Sequence, residues 1–596
     1  MRKAALRLIA AVLGVAAVAL ASGGRVLLVS LDGFGYQIWV EDRVAEELKT
    51  LRRVAAGGVT ARGVMSSFPS LTAPAHASLW TGAYGDVNGV TANDNPVLPR
   101  NGHSFTERRN GFRSESLLAE PLWVAAARQG VRVVAHQPPQ AYPFGDRNTA
   151  PGAVVVNCYQ TETLASGRVL RAAGAAPEPA EAWKPLRPGR AFHWETGSLT
   201  LHAALAGGVL HVAADPRRGP RVIVRPAPAE SEPPRRRPLA RHFSAGLPVT
   251  VNGEPGVVYF RLFELRPDGS DFLLYQSPLK QTGIHGAPAR DRDVLLAEAG
   301  GMVGNGAHRA YVSGALGKAG GGIAKERYLE TLELSVRQFN RYSEWLWARY
   351  RPRLLIDYAS IPDEFEHAWL GHLRFRGAMD EWRRWGFVIV ERRLAALEAL
   401  AEAGDSFLVA SDHGMGAFDR EVRVNTALER AGLNHKAVLA GSSILINTAD
   451  WRGRVVPLGQ RAEVVEQARA ALEALRDPES GRAVFTAFFR PGEAGAPPGL
   501  GGPAGGDLYF DLAPGYRASS APGGEILARL AEPVGAHGLD PARNDMLAVL
   551  FARGPGLPPG GVWPRLRTID IAPLVADLLG IEPPAQARGQ SPLSKR

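Results

Sequence analysis

The sequence predicts an α/β protein: a mostly parallel central sheet flanked by helices, carrying a β-rich inserted domain. Three observations predict it. RVLLVSLDG, residues 25–33, is an unbroken apolar run that stops at an acid and a glycine, as a strand buried on both faces does. Comparable runs recur at VRVVAHQ (131–137), RLLIDYASIPD (353–363), SFLVASDHG (406–414) and DMLAVLFARG (545–554), with helical stretches such as 325–350 and 380–403 between them. Between about 155 and 324 the rhythm changes to Pro- and Gly-rich chain with short β-like runs, among them LPVTVNG, VVYFRLFEL and FLLYQS.

Taken in order, the chain of 596 residues starts with MRKAALRLIAAVLGVAAVALASGG. Arg2, Lys3 and Arg7 precede an apolar run that ends in Ala19-Leu20-Ala21, the pattern of a signal peptide over 1–24. The run is short for a membrane span. The expectation is an exported protein, periplasmic or extracellular. A membrane is a partner only if this segment stays uncleaved as an anchor. The central fold then occupies 25–154 and 325–596, split by the 155–324 insertion. A small cap subdomain is expected near 440–515, where RAEVVEQARAALEALRD (461–477) reads as an amphipathic helix and PGEAGAPPGLGGPAGG (491–506) as a loop.

Composition narrows the function classes. At 45% hydrophobic and 21% charged residues the chain is globular. Its net charge of +10 comes from scattered arginines, with PPRRRPLAR (233–241) the one dense patch. No basic face interleaved with aromatic residues stands out, so no nucleic-acid polymer is expected as partner. Cys158 is the single cysteine. It cannot form an internal disulfide and reads as a small packed side chain.

Four separated pieces carry metal-type ligands. Asp32 ends the first strand. PDEFEH places Asp363 and His367 four apart, on one face if helical. SDHGM holds Asp412 and His413; neighbours on a strand point to opposite faces, so both can serve one site only from a turn, which Gly414 would permit. AHGLD holds His537. Three Asp and three His suffice for two sites of three ligands, each with an open position. Mixed imidazole and carboxylate ligands suit zinc first, then manganese or iron. Each piece alone has an ordinary reading as a cap, a turn or a solvated helix face. Their joint position at strand ends of one sheet, where α/β proteins bind ligands, argues for a site.

SSFPSLTAPAHASLWTG (66–82) reads as a strand end, a turn and the start of a helix, which makes Thr72 a helix N-cap on its own terms. His76 is expected to bond within this turn, His372 to be solvated or to support a ligand, and Glu364 and Glu366 to be exposed.

The order LDG, FPSLTAPAHASLWTG, PDEFEH, SDHGM and AHG, with the tail RTIDIAPLVADLLGI (567–581), resembles the alkaline phosphatase superfamily. Within it the sequence is similar to the type I phosphodiesterase/nucleotide pyrophosphatase family, over roughly 25–150 and 325–592. The resemblance implies an alkaline-phosphatase-like fold and two zinc ions. One would be held by Asp363, His367 and His537. The other would be held by Asp32, Asp412 and His413, with Thr72 as remaining ligand and nucleophile. Asn93, in GVTAND, would donate to the phosphoryl oxygen.

Chemistry agrees with these roles. A threonine hydroxyl needs a metal or a base to act as nucleophile. A helix start beyond Thr72 would bring partial positive charge to a phosphate. The expected function is an exported two-metal phosphoric ester hydrolase working through a phosphothreonine. A phosphomonoesterase or phosphonate hydrolase of the same superfamily is the alternative. A phosphotransferase and a non-catalytic envelope binding protein stand further off. The sulfatase CxPxR or SxPxR motif is absent around Thr72, and no Lys-x-Arg for gripping a dianion is evident. A small diester or pyrophosphate is therefore the expected substrate, with a nucleotide, lipid or sugar headgroup. Ala73 departs from nucleotide-specific members, which often carry an aromatic after the nucleophile. Tyr159, Trp183 or Trp194 of the insertion could supply one, or Ala73 could open room for another headgroup.

Overall fold

The computed structural model describes residues 24–227, 239–318, 320–376 and 381–594. The signal-peptide reading of 1–24 lies outside them but for residue 24, as does most of the PPRRRPLAR patch.

A nine-stranded sheet forms the centre. Its strands in chain order are β1 (Val26–Leu31), β2 (Val59–Ala61), β3 (Val133–His136), β4 (Ala153–Asn157), β5 (Gly283–His285), β6 (Leu354–Ala359), β7 (Ser406–Ser411), β8 (Leu550–Arg553) and β9 (Gly561–Trp563). Their spatial order is β5-β4-β3-β6-β1-β7-β8-β2-β9. The middle is parallel: β1 pairs with β6 and β7, β6 with β3, and β3 with β4. Antiparallel pairings occur at β4–β5 and on both sides of β8.

The unbroken apolar runs are explained by two cores, one on each face. In β1, Leu27, Val29 and Leu31 enter one core while Val26 and Leu28 enter the other. Phe407 and Val409 of β7 share the first, and Leu408 and Ala410 the second. Alternation along a strand would normally leave one polar face, but here both faces are covered by helices. Five helices matter for the site: α1 (Thr72–Thr81), α2 (Gly322–Tyr350), α3 (Asp363–Arg376), α4 (Glu381–Glu398) and α5 (Ile571–Leu579). The last is the helix of the RTIDIAPLVADLLGI tail.

The inserted segment forms its own sheets. A five-stranded antiparallel sheet runs from 176 to 224, and a three-stranded one joins Phe260–Leu265, Phe272–Gln276 and Arg168–Arg171. They share a core containing Leu170, Trp194, Leu201, Val212, Phe260 and Leu274. Both ends of the excursion return to the central sheet through β4 and β5. β4 crosses the 154/155 boundary expected from composition, because its apolar run continues the parallel pairing with β3. A further four-stranded sheet (437–440, 443–446, 485–489 and 508–512) and the helix Arg461–Glu473 form a separate core in the C-terminal part. Cys158 is buried among apolar neighbours, and burial pushes its thiol up to about 11.

Buried ion pairs join these layers. Arg383 of α4 meets Glu366 of α3 through two bonds of 2.7 and 2.9 Å and Asp42 through one of 2.7 Å. Arg261 of the insertion forks onto Glu330 of α2 at 2.6 and 3.0 Å. Arg393 of α4 bonds Asp357 of β6, which also accepts from Ser343 of α2 at 2.6 Å. Glu366 was expected on the surface. Its side chain is 0% exposed because Arg383 neutralises it. Glu364 is buried too, at 7% exposure, beneath the insertion.

Arg383→Ala would strand Glu366 and Asp42 without their cation. We expect a loss of about 3–5 kcal/mol in unfolding free energy, read from urea denaturation by tryptophan fluorescence. A loss below about 1 kcal/mol would show that the pair does not hold α3.

Candidate active site

Four of the predicted ligands sit at or just beyond carboxyl ends of the central sheet, His367 lies one helical turn further on, and His537 follows the strand Leu527–Ala536 of a separate three-stranded sheet. Asp32 follows β1, Asp412 and His413 follow β7, and Asp363 opens α3 just beyond β6. The Asp412–His413 pair lies past the strand, in the turn that two convergent side chains require. Gly414 serves that turn by its missing side chain: a Cβ there would lie 2.3 Å from the Asp545 carbonyl oxygen. Gly33 is more constrained. Its φ is +70°, and a Cβ would lie 2.7 Å from Asp363 Cβ. The Asp363 amide donates to the Asp32 carbonyl at 3.0 Å, which brings the two acids together.

The six side chains fall into two groups whose ligand atoms lie within 4.8 Å of one another: Asp363, His367 and His537, and Asp32, Asp412 and His413. One helical turn separates Asp363 from His367, and Asp363 Oδ2 is 3.2 Å from His367 Nε2. Asp363 Oδ1 is 3.5 Å from His537 Nε2. In the second group His413 Nε2 is 3.0 Å from Asp412 Oδ2 and 3.5 Å from Asp32 Oδ1. The groups touch: the His413 and His537 rings stack with centroids 3.8 Å apart.

Each imidazole is oriented in the same way. His367 Nδ1 donates to the Gly535 carbonyl at 2.7 Å, His413 Nδ1 to that of Gly414 at 2.9 Å, and His537 Nδ1 to that of Ser70 at 2.9 Å. The backbone thus engages each Nδ1 proton and turns Nε2 toward the carboxylates. Asp32 Oδ1 and Asp363 Oδ1 are buried and accept no hydrogen bond, and Asp412 Oδ2 is met only by the His76 and His413 rings. Carboxylate oxygens and imidazole Nε2 atoms converging on one volume match the donor set of a divalent cation.

The charges point the same way. Burial, then the negative charges of Asp412 and Asp363, push the Asp32 carboxyl well above the usual range. Burial also acts upward on Asp363, but the His367 and His537 rings hold it at about 2. Burial pushes His367 down and Asp363 overcomes it, raising the ring to about 9. His537 is driven down to about 3 by burial and by the neighbouring His413 ring. These are three acids and three imidazoles sharing protons in place of a stronger positive charge.

Thr72 is 5% exposed, with Oγ1 3.1 Å from His413 Nε2. It is the first residue of α1 and makes no capping bond; Leu71 holds the N-cap position. The N-cap expectation for Thr72 is thereby corrected: its hydroxyl faces the ligand cluster because the helix begins one residue earlier than a cap would need. Asn93 Oδ1 accepts from the Ala73 amide at 2.9 Å. That bond orients the side chain so that its amide NH₂ is the free end.

Several functional neighbours carried little signal in sequence. His76 is fully buried, with Nδ1 3.0 Å from the Thr72 carbonyl oxygen and 3.2 Å from Asp412 Oδ2, and Nε2 2.9 Å from Ser30 Oγ. The expected bond within the turn is present, and the contact with Asp412 is additional. Tyr358 donates to Asp32 Oδ2 at 2.6 Å. Its place in an apolar strand gave no hint of this. His372 lies 3.9 Å from Glu532, away from the ligand groups.

A pocket of about 520 Å³ opens beside Asp32, Asp363 and His367. Tyr159 lines it. Trp183 and Trp194 do not, being packed in the cores of the insertion. Ala73 is fully buried against Ala77, Val90 and Leu117, so it opens no room for a headgroup.

The fold and the ligand pairs define an α/β protein with a metal-type site at the carboxyl ends of its strands. The family model of type I phosphodiesterase / nucleotide pyrophosphatase matches residues 26–184 and 317–540, and the chain belongs to that family, whose members hydrolyse phosphoric esters. Ectonucleotide pyrophosphatase/phosphodiesterase C27A7.3 of Caenorhabditis elegans is 36% identical over 103 residues, 17% of this chain and 13% of the relative's own length. Human ectonucleotide pyrophosphatase/phosphodiesterase 5 is 14% identical, covers 95% of this chain and 97% of its own, and has a TM-score of 0.49. The murine protein in an inactive form in complex with AMP is 14% identical, covers 94% and 96%, and has a TM-score of 0.47. Among the described residues, no helix is long and apolar enough to cross a membrane.

Gly33→Ala should force a side chain into Asp363 at a positive φ. We expect a lowered melting temperature, corresponding to about 1–3 kcal/mol, and weaker binding of added zinc by calorimetry. Unchanged melting and zinc affinity would show that the Gly33–Asp363 contact does not shape the site.

Proposed function

We propose that the chain is an exported two-metal phosphodiesterase/nucleotide pyrophosphatase that works through a phosphothreonine. The observation that carries this reading is the pair of three-ligand groups meeting beside Thr72, with their imidazole Nε2 atoms and carboxylate oxygens turned inward. Asp363, His367 and His537 would hold one divalent cation, and Asp32, Asp412 and His413 the other, with Thr72 beside it. Zinc is the best match to two carboxylates or fewer and one or more imidazoles per site. Bound there, such ions lower the pKa of a hydroxyl and offset charge on a phosphate in transfer.

The chain's own residues would act as follows. Thr72 Oγ attacks phosphorus and the alcohol or phosphate on the far side leaves with its electron pair. Water then hydrolyses the phosphothreonine and restores the hydroxyl. The Asn93 NH₂, aimed by its bond to the Ala73 amide, donates to a non-bridging oxygen as charge builds there. The first turn of α1 adds the partial positive charge of its free amides. His76 and Tyr358 hold Asp412 and Asp32 in place. A pocket of this size beside the site supports a diester over a monoester, because a second substituent has somewhere to lie. Export rests on the N-terminal pattern of 1–24.

Thr72→Ala should lower turnover by at least about 10³-fold while bound metal, measured by plasma mass spectrometry, stays as in the wild type. Asn93→Ala should cost about 10²–10³ in kcat. Full activity in Thr72→Ala would remove the nucleophile assignment. Rates on bis-p-nitrophenyl phosphate, p-nitrophenyl phosphate and thymidine 5′-monophosphate p-nitrophenyl ester test the substrate class. The diesters should be the faster substrates, and a monoester rate far above both would overturn the diesterase reading. A nucleotide ester no better than the simple diester would remove the nucleotide preference.

A further inference from the structure

Much of the lining of the 520 Å³ pocket that holds Asp363 comes from the insertion and its flanks. It carries Arg168, Lys280 and Arg309. Lys280 Nζ donates to the Thr161 carbonyl at 2.8 Å and the Thr163 hydroxyl at 3.0 Å. Arg168 Nη1 donates to the Glu195 carbonyl at 2.8 Å. These partners are neutral, so they position the cations without cancelling them. Glu162, the acid beside Thr163, is 4.0 Å from Arg113 and acts on Lys280 only through space. Among the described residues none of the three cations has a carboxylate within the 4.0 Å of an ion pair.

The segment leading into the short helix His308–Val312, which bears Arg309, is pinned beside the site. The Ala307 amide donates to Thr331 Oγ1 of α2 at 2.8 Å. Gly306 packs so closely that a Cβ would lie 3.0 Å from Glu364 Oε1 and 3.2 Å from Thr331 Oγ1. This contact explains why Glu364 is covered. The next residue, His308, also lines the pocket, and its Nε2 is buried without a hydrogen-bond partner. The insertion therefore brings into the pocket three cations with no carboxylate in ion-pair contact among the described residues, and an unused imidazole nitrogen, on a segment packed beside the helix that bears Asp363 and His367.

Cations in a concave pocket raise the local concentration of anions and favour ligands that pair with them. The scissile phosphate would sit at the ligand groups in the same pocket. The charge that the insertion brings beside them is left for something else in the same substrate. We propose that Arg168, Lys280 and Arg309 form a subsite for a phosphate carried on the substrate's alcohol, apart from the scissile phosphate, and so determine specificity. The inference rests on the hydrolase reading and names the substrate class within it: phosphodiesters whose substituent bears its own phosphate.

Three p-nitrophenyl phosphodiesters test it, differing only in the end of the second alcohol: 3-hydroxypropyl phosphate, 1-propanol and choline. For the wild type, kcat/KM should fall in that order, with the phosphopropyl ester preferred over the propyl ester by about tenfold or more. In Lys280→Gln/Arg309→Ala this ratio should fall below about threefold. Arg309 is exposed, so Arg309→Glu alone is expected to fold, checked by circular dichroism, and should lower the phosphopropyl/propyl ratio while raising choline/propyl. A wild-type ratio near one would overturn the subsite and leave the hydrolase reading standing. So would variants that change all three esters alike, as a purely structural role predicts. No turnover of any ester by folded, zinc-replete protein would overturn the hydrolase reading and the subsite with it.

Discussion

Three aspartates brought into one cluster, Asp32 and Asp412 buried and Asp363 nearly so, are the constraint on which the rest depends. Asp32, Asp363 and Asp412 lie at the ends of β1, β6 and β7, the adjacent parallel strands at the centre of the sheet. Their mutual repulsion and desolvation oppose folding, and among the described residues no cationic side chain other than imidazole pairs with them. The fold tolerates the arrangement by satisfying one side of each acid. Tyr358 donates to Asp32, the Gly33 amide donates to Asp412 at 3.0 Å, and the histidines face the remaining oxygens. What stays open on each acid is turned toward the same small volume.

The layers around this cluster are tied by buried charge as well as apolar packing. Arg383 holds α3, and therefore Asp363 and His367, against α4. Arg261 ties the insertion to α2, and Thr331 of α2 pins the loop that covers Glu364. Removing apolar area from the two cores would loosen the sheet as a whole. Removing one of these arginines would instead shift a helix relative to the strand ends, where a displacement of about 1 Å already matters for catalysis. The insertion is thus both a β-rich body with its own core and the source of one wall of the pocket.

Much of this was legible in the sequence. The unbroken apolar runs at 25–31 and 406–411 identified strands covered on both faces, because only such strands can be apolar at every position. The Asp363–His367 spacing specified one helical face. The Asp412–His413 adjacency required a turn. The misses share a cause: they depend on partners distant in sequence. Glu366 looked exposed because a glutamate normally is, and nothing near it announced Arg383. Thr72 looked like a cap because the helix start is ambiguous by one residue from pattern alone. Ala73 looked like an opening, yet Val90 and Leu117 close over it. Tyr358 and the pocket-lining role of His308 appear only once the sheet is assembled.

The central claim is that Thr72 carries the phosphoryl group between the two ligand groups. Acid-quench of the enzyme during turnover of bis-p-nitrophenyl phosphate, followed by peptide mapping, tests it directly, since phosphothreonine survives acid. The account predicts a phosphate on Thr72 within the peptide that spans residues 66–82, formed at a rate no slower than turnover. Turnover with no phosphorylated peptide, or with the phosphate on another residue, would contradict it.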